Sequence, residues 1–111
     1  MDKLKHYRQI IQTLLGEYAG YKSLNPDMER ELICDTASDR YLIVNFGWQG
    51  NRYIYGCTVH MEIRKEKIWI QYNMTDVNFA KELVEMGVAK NDIVLGFHSP
   101  FKRQFTEYAV G

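Results

Sequence analysis

The side chains to weigh first for chemistry are the three histidines, His6, His60 and His98. A zinc site needs closely spaced ligands, as in HExxH, or ligands converging from neighbouring strands. His6 falls in a helical pattern, His60 in an alternating stretch and His98 in a loop-like segment, so no spacing joins them. His98 and Ser99 are adjacent, but a nucleophile and its base must face one another, and sequence neighbours rarely do. Neither a hydrolase nucleophile elbow nor a glycine-rich phosphate loop is present. The triplet Glu62-Ile63-Arg64, taken with Asp35, gives a weak outline of a metal-dependent nuclease. A cross-strand ion pair explains the same residues more simply. Cys34 and Cys57 sit in apolar runs without a CxxC partner, and read as free, buried small hydrophobes. No metal, cofactor or catalytic set is expected.

Charge is the next constraint. Fourteen Lys and Arg balance fourteen Asp and Glu, so the formal net charge is zero. Non-specific nucleic-acid binding through a net positive field is thereby excluded, while a local basic patch is not. Glu31, Asp35 and Asp39 make one stretch acidic. Arg40, Arg52, Arg64, Lys65 and Lys67 outnumber Glu62 and Glu66 in the next, and Lys102-Arg103 lies between Phe101 and Phe105. Basic and aromatic residues together can grip a phosphate backbone and stack on bases. Trp48, Trp69 and eight tyrosines exceed what one small core needs, and Tyr and Trp anchor interfaces well. The contact candidates are therefore Trp48, Arg52, His60, Arg64, His98, Lys102 and Arg103.

These residues must be positioned by a chain of 111 residues, room for one domain, residues 1–111. Leu4, Tyr7, Ile11, Leu14 and Tyr18 recur at helical spacing, with Asp2 at the start and Gly20 as the stop. Tyr21 to Asp27 reads as a loop around Asn25-Pro26. From Glu29 to Asn73 the period changes to two. Strands are expected at Arg30–Asp35, Tyr41–Trp48, Arg52–Arg64 and Lys67–Tyr72, joined by tight turns in an antiparallel meander. In the third strand Tyr53, Tyr55, Cys57, Val59, Met61 and Ile63 form one alternating set, with Gly56 a candidate bulge. A second helix is expected over Asp76–Met86, capped by Thr75 or Asp76 and ended at Gly87. Asp92–Phe97 reads as one more short strand, and the tail from His98 as a helical turn or an extended arm on the sheet. The fold class is α+β: an antiparallel meander of about four to five strands, with an N-terminal helix and a second helix packed on one face. The N-terminus has no apolar leader and no stretch is long enough to span a membrane, so a cytoplasmic location is expected.

Longer stretches carry more information than any short motif. Leu4-Lys5-His6-Tyr7-Arg8-Gln9-Ile10-Ile11, Asp39-Arg40-Tyr41, Gly47-Trp48 and Gly56-Cys57-Thr58-Val59-His60 are among them. Lys67-Ile68-Trp69-Ile70-Gln71, Leu83-Val84-Glu85-Met86-Gly87-Val88 and Asp92-Ile93-Val94-Leu95-Gly96-Phe97-His98-Ser99-Pro100 follow, and Tyr108-Ala109-Val110-Gly111 closes the chain. On these residues the sequence resembles the XisI-like family, the fdxN element excision controlling factors. Lys65-Glu66 stands where the family usually has an Asp-Gly turn. The resemblance implies an accessory role in programmed DNA rearrangement, controlling excision by a site-specific recombinase together with a partner of the XisH type. It supplies no catalytic residue and no cofactor. Direct contact with DNA stays open, and a homodimer is expected from base rates and the aromatic surplus. The rival readings are a metal-dependent nuclease component and a plain nucleic-acid-binding module.

Overall fold

Asp2 sets the first element. Its carboxylate accepts the Leu4 amide at 3.0 Å and caps helix α1, Lys3–Ala19. Tyr7, Ile10, Ile11, Leu14 and Leu15 form its buried stripe. The computed structural model describes residues 2–21 and 25–111. Of the loop expected over 21–27, residues 22–24 lie outside the described residues, as does Met1.

Four strands follow in a meander: β1 (Met28–Asp35), β2 (Arg40–Gln49), β3 (Arg52–Arg64) and β4 (Lys67–Asn73). Helix α2 (Phe79–Glu85) then crosses to β5 (Ile93–Leu95), which lies parallel to β4 and corrects a purely antiparallel reading. The helix supplies the long crossover that a parallel pairing requires, because a short loop cannot return the chain to the same end of the sheet. The strand order is β1-β2-β3-β4-β5. Both long helices cover one face. There α1 and α2 bury Tyr41, Ile43, Val59, Met61, Ile63, Ile68, Ile70 and Ile93 in one cluster with Phe79 and Leu83.

Helix α2 begins later than expected. Asn78 is its cap and accepts the Lys81 amide at 3.1 Å. Thr75 is engaged one turn earlier, where its hydroxyl donates to Asn73 Oδ1 at 2.7 Å and accepts the Val77 amide. At the other end Gly87 takes φ 107°, with the Val88 amide on the Leu83 carbonyl and the Gly87 amide on that of Val84.

The alternation expected along β3 does not run unbroken. Val59 lies opposite Ile43 but Cys57 lies opposite Val44, so Thr58 is an extra residue with no partner on β2. One extra residue reverses every side chain beyond it. Val59, Met61 and Ile63 face the helices, whereas Tyr53, Tyr55 and Cys57 face the opposite side, across from Trp48, Phe46 and Val44. The bulge thus falls two residues after Gly56. Opposite β4, Gln71 is a second extra residue, between the pairs His60–Tyr72 and Met61–Ile70.

The turns carry the remaining constraints. Gly50 supplies φ 65° between β2 and β3, but Lys65 and Glu66 both take positive φ, 52° and 64°, between β3 and β4. A two-residue turn of that kind favours Asn-Gly or Asp-Gly, and each side chain there is strained. At Gly47, with φ 142°, a Cβ would overlap the Asp27 carbonyl oxygen, so only glycine lets β1 start against β2. Cys34 is exposed on the outer strand β1, not buried as its apolar neighbours suggest. Cys57 is half-buried, and both thiols are free.

The uncovered sheet face as candidate functional site

The sheet face opposite α1 and α2 divides into three zones. Near the β2–β3 hairpin it is aromatic. Trp48 and Tyr53 meet edge to face at 5.3 Å, and Phe46 and Tyr55 lie 6.4 Å apart. Trp48 and Tyr53 are each 55% exposed and Tyr55 is 70% exposed, with Ile33 and Tyr72 also open to solvent.

The centre is polar and built on Glu62, which is 2% exposed. Its carboxylate accepts Gln71 Nε2 at 3.0 Å and contacts His60 Nε2 at 3.1 Å. It also pairs with Arg40 Nε at 3.2 Å and with the Arg64 guanidinium. Burial pushes the Glu62 carboxyl up, but the Gln71 and His60 hydrogen bonds and the two guanidinium charges outweigh it, leaving the group below the ordinary carboxylate range. Gln71 can reach because the β4 bulge releases it from pairing, and because Gly96 stands beside it. A Cβ at Gly96 would overlap Gln71 Oε1.

The third zone is closed by the tail. Arg64 and Arg103 lie over the Trp69 ring at 5.4 and 5.2 Å. Arg103, on the short helix α3 (Pro100–Arg103), also donates to the carbonyls of His98 at 3.0 Å, Val110 at 3.3 Å and Gly96 at 3.5 Å. Ala109 adds a parallel bridge to Val94, so the tail is both a helical turn and an extended arm.

The predicted contact residues therefore separate. His60 and Arg64 meet at Glu62, and Arg64 and Arg103 meet at Trp69. Trp48 belongs to the aromatic zone. Arg52 opens β3 at the hairpin, roughly 40 Å along the strand from Arg64. The His98 ring lies tilted against that of Phe97 at 4.5 Å, and Lys102 stands exposed on α3. The basic residues do not form one free patch, since Arg64 and Arg103 are engaged within the fold. Asp35 and Glu62 flank Arg40 in one row across three strands, roughly 10 Å apart at the backbone, and Asp35 accepts the Ala37 and Ser38 amides of its own turn. Among the described residues no three His, Cys, Asp or Glu side chains are grouped to hold a metal ion.

Sequence reasoning missed Tyr53, Tyr55, Arg40 and Gln71. In the sequence the first two share one alternating set with Val59, Met61 and Ile63, and only the register displays the bulge that turns them outward. A separate groove of about 640 Å³ lies between α2 and the tail, bordered by Lys81, Val84, Leu95, Phe105 and Tyr108, and holds none of the predicted residues.

This arrangement has known relatives. The XisI protein family model matches residues 1–110. The chain belongs to the XisI family. The crystal structure of an XisI-like protein from Anabaena variabilis ATCC 29413 is 45% identical, covers 99% of this chain and 100% of its own, and superposes with a TM-score of 0.90. That of the fdxN element excision controlling factor XisI from the same organism is 36% identical, with the same coverage and a TM-score of 0.86. A search of curated proteins finds no match. The XisI fold thus includes the N-terminal helix, the five-strand mixed sheet and the helices after it. Among the described residues no helix is long and apolar enough to cross a membrane.

Proposed function

We propose that this XisI-family chain is a non-catalytic accessory factor that controls site-specific excision of a DNA element, acting in the cytoplasm by binding a partner protein of the XisH type. One observation carries the reading: Trp48, Tyr53 and Tyr55 stand exposed side by side on the sheet face opposite α1 and α2, at the end away from the tail. Aromatic side chains left in water on a rigid strand lose little entropy on docking, and such residues are the usual anchors of an interface. The excision role comes from the relative named an excision controlling factor, 36% identical over nearly the whole chain. The polar centre supports a structural role, because every group around Glu62 is already paired. No specific observation favours a nuclease. A plain DNA-binding module is disfavoured, since two of its best cations, Arg64 and Arg103, are held against Trp69. A recombinase contact or a homodimer through the same face are the other occupants.

The test is co-expression with an XisH-type protein from the same genome, followed by affinity capture and light scattering. The wild type retains the partner in a defined complex. Trp48→Ala/Tyr55→Ala folds normally and weakens capture about 30-fold, as loss of an interface anchor does. Failure of the wild type to associate overturns the proposal, and a light-scattering mass of two copies without the partner reassigns the face to self-association.

A further inference from the structure

The two edges of the sheet are finished differently. At β5, the tail closes the edge through Ala109, whose amide donates to the Ile93 carbonyl at 2.8 Å. At the other edge β1 pairs only with β2, over eight residues without a bulge, and among the described residues nothing pairs with its outer side. A long, flat, proline-free edge is a template for another strand. Which strand it accepts is written in its side chains. Glu29, Glu31, Ile33 and Asp35 lie on the uncovered face, opposite Phe46, Val44, Leu42 and Arg40. Met28, Arg30, Leu32 and Cys34 lie on the helix side, where Arg30 is held by the Tyr18 and Tyr21 carbonyls. Among the described residues Glu29 and Glu31 have no ion pair.

A second copy does not fit. A two-fold axis normal to the sheet joins two β1 strands antiparallel with like faces aligned, so only residues of the same parity stand opposite each other. Glu31 opposes Glu31 when the axis passes through residue 31. Glu29 opposes Glu31 when it passes through residue 30, Glu29 opposes Asp35 through residue 32, and Glu31 opposes Asp35 through residue 33. Every register pairing most of the strand therefore sets carboxylates against each other, which is destabilising. The same spacing favours a strand with cations at alternate positions.

We propose that the free edge of β1 is a docking strand for an extended basic segment of another protein, which adds as a sixth strand with its Lys or Arg side chains facing Glu29, Glu31 and Asp35. Its alternate, apolar side chains then lie beside Leu32 and Cys34 on the helix side. Backbone pairing supplies the attachment, and the carboxylate row supplies the choice of partner. This goes beyond the aromatic-face reading and uses different residues.

The test uses the full chain and a blocked eight-residue peptide alternating lysine with valine. A control peptide has the same residues as a lysine block followed by a valine block. At low salt the alternating peptide binds by fluorescence anisotropy and slows amide hydrogen exchange within residues 28–35. Affinity falls about fivefold in Glu29→Gln/Glu31→Gln, the size expected from two cross-strand charge pairs, while Trp48→Ala/Tyr55→Ala leaves it unchanged. Three results would each overturn the proposal: no exchange protection over 28–35, equal protection by the block peptide, or equal affinity of the glutamine variant. In those cases the carboxylates serve only to keep copies of the chain apart.

Discussion

The two halves of β3 share a strand and have opposite tasks. From Val59 to Ile63 the odd-numbered residues are buried under the helices, and Glu62 between them is buried on the other face under a ring of paired side chains. From Tyr53 to Cys57 the odd-numbered residues face the uncovered side, and the aromatic ones are largely exposed. The odd-numbered positions do not separate the halves by type, since all of them in both halves are apolar or aromatic. What separates them is Thr58, whose hydroxyl reaches the Ile43 carbonyl at 3.4 Å and whose own carbonyl accepts the Met74 amide at 2.8 Å. A single extra residue thus turns one alternating set from the helix-covered face to the exposed one within a single strand.

Deleting Thr58 is the sharpest test of this contrast. With it gone, Cys57 and Val59 become consecutive and keep their places opposite Val44 and Ile43 by ordinary alternation, so Tyr53, Tyr55 and Cys57 still face the open side while the bulge and the Met74 amide bond to the Thr58 carbonyl are lost. The expected outcome is hydrogen-exchange protection over 44–57 and partner capture both retained, at a stability cost of about 3 kcal/mol. Lost capture with protection retained would mean that the local twist of the bulge, and not the facing of Tyr53 and Tyr55 alone, shapes the surface. Glu62→Gln probes the other half and has a smaller effect. It keeps the shape but removes the charge between Arg40 and Arg64, both near half-exposed, so about 2 kcal/mol is expected at pH 7 in denaturant titrations. The sign with pH follows from the lowered carboxyl. A folded-state value below the unfolded one gives stability that is present above about pH 4.3 and is lost as pH falls through the folded value. The gap between wild type and variant therefore closes on acidification below pH 4.3. A gap that persists would mean Glu62 acts by packing alone.

Much of the fold was legible because its signals are local. The α1 stripe, the bounds of β3, the turn at Gly50 and the ending at Gly87 each follow from residues within a few positions of one another. The parallel pairing of β5 was not legible, since Ile93-Val94-Leu95 reads the same in either direction. The later start of α2 depended on Asn73 taking the Thr75 hydroxyl, a competition between two caps that propensity does not rank. The candidate site was the least legible part. Trp48 stands out by its type, but Tyr53 and Tyr55 share one alternation with Val59, Met61 and Ile63, and a bulge at Thr58 leaves no mark in it. Arg64 and Arg103 stand among the contact candidates, and only the tertiary structure brings both onto Trp69.

The smallest expected effect concerns the turn leaving β3. The turn entering it spends a glycine on its positive φ, whereas Lys65 and Glu66 hold two such conformations with full side chains. Neither forms an ion pair among the described residues that would offset the strain. Glu66→Gly relieves the second position and restores the glycine that a two-residue hairpin prefers, so the variant gains about 1 kcal/mol, read as a higher denaturation midpoint at unchanged slope. Because the gain lies at the buried end of β3, partner capture through Trp48 and Tyr55 stays at the wild-type level. A gain in stability with a loss of capture would instead tie the two ends of the strand together, and the bulge at Thr58 would then be a coupling element between them rather than a divider.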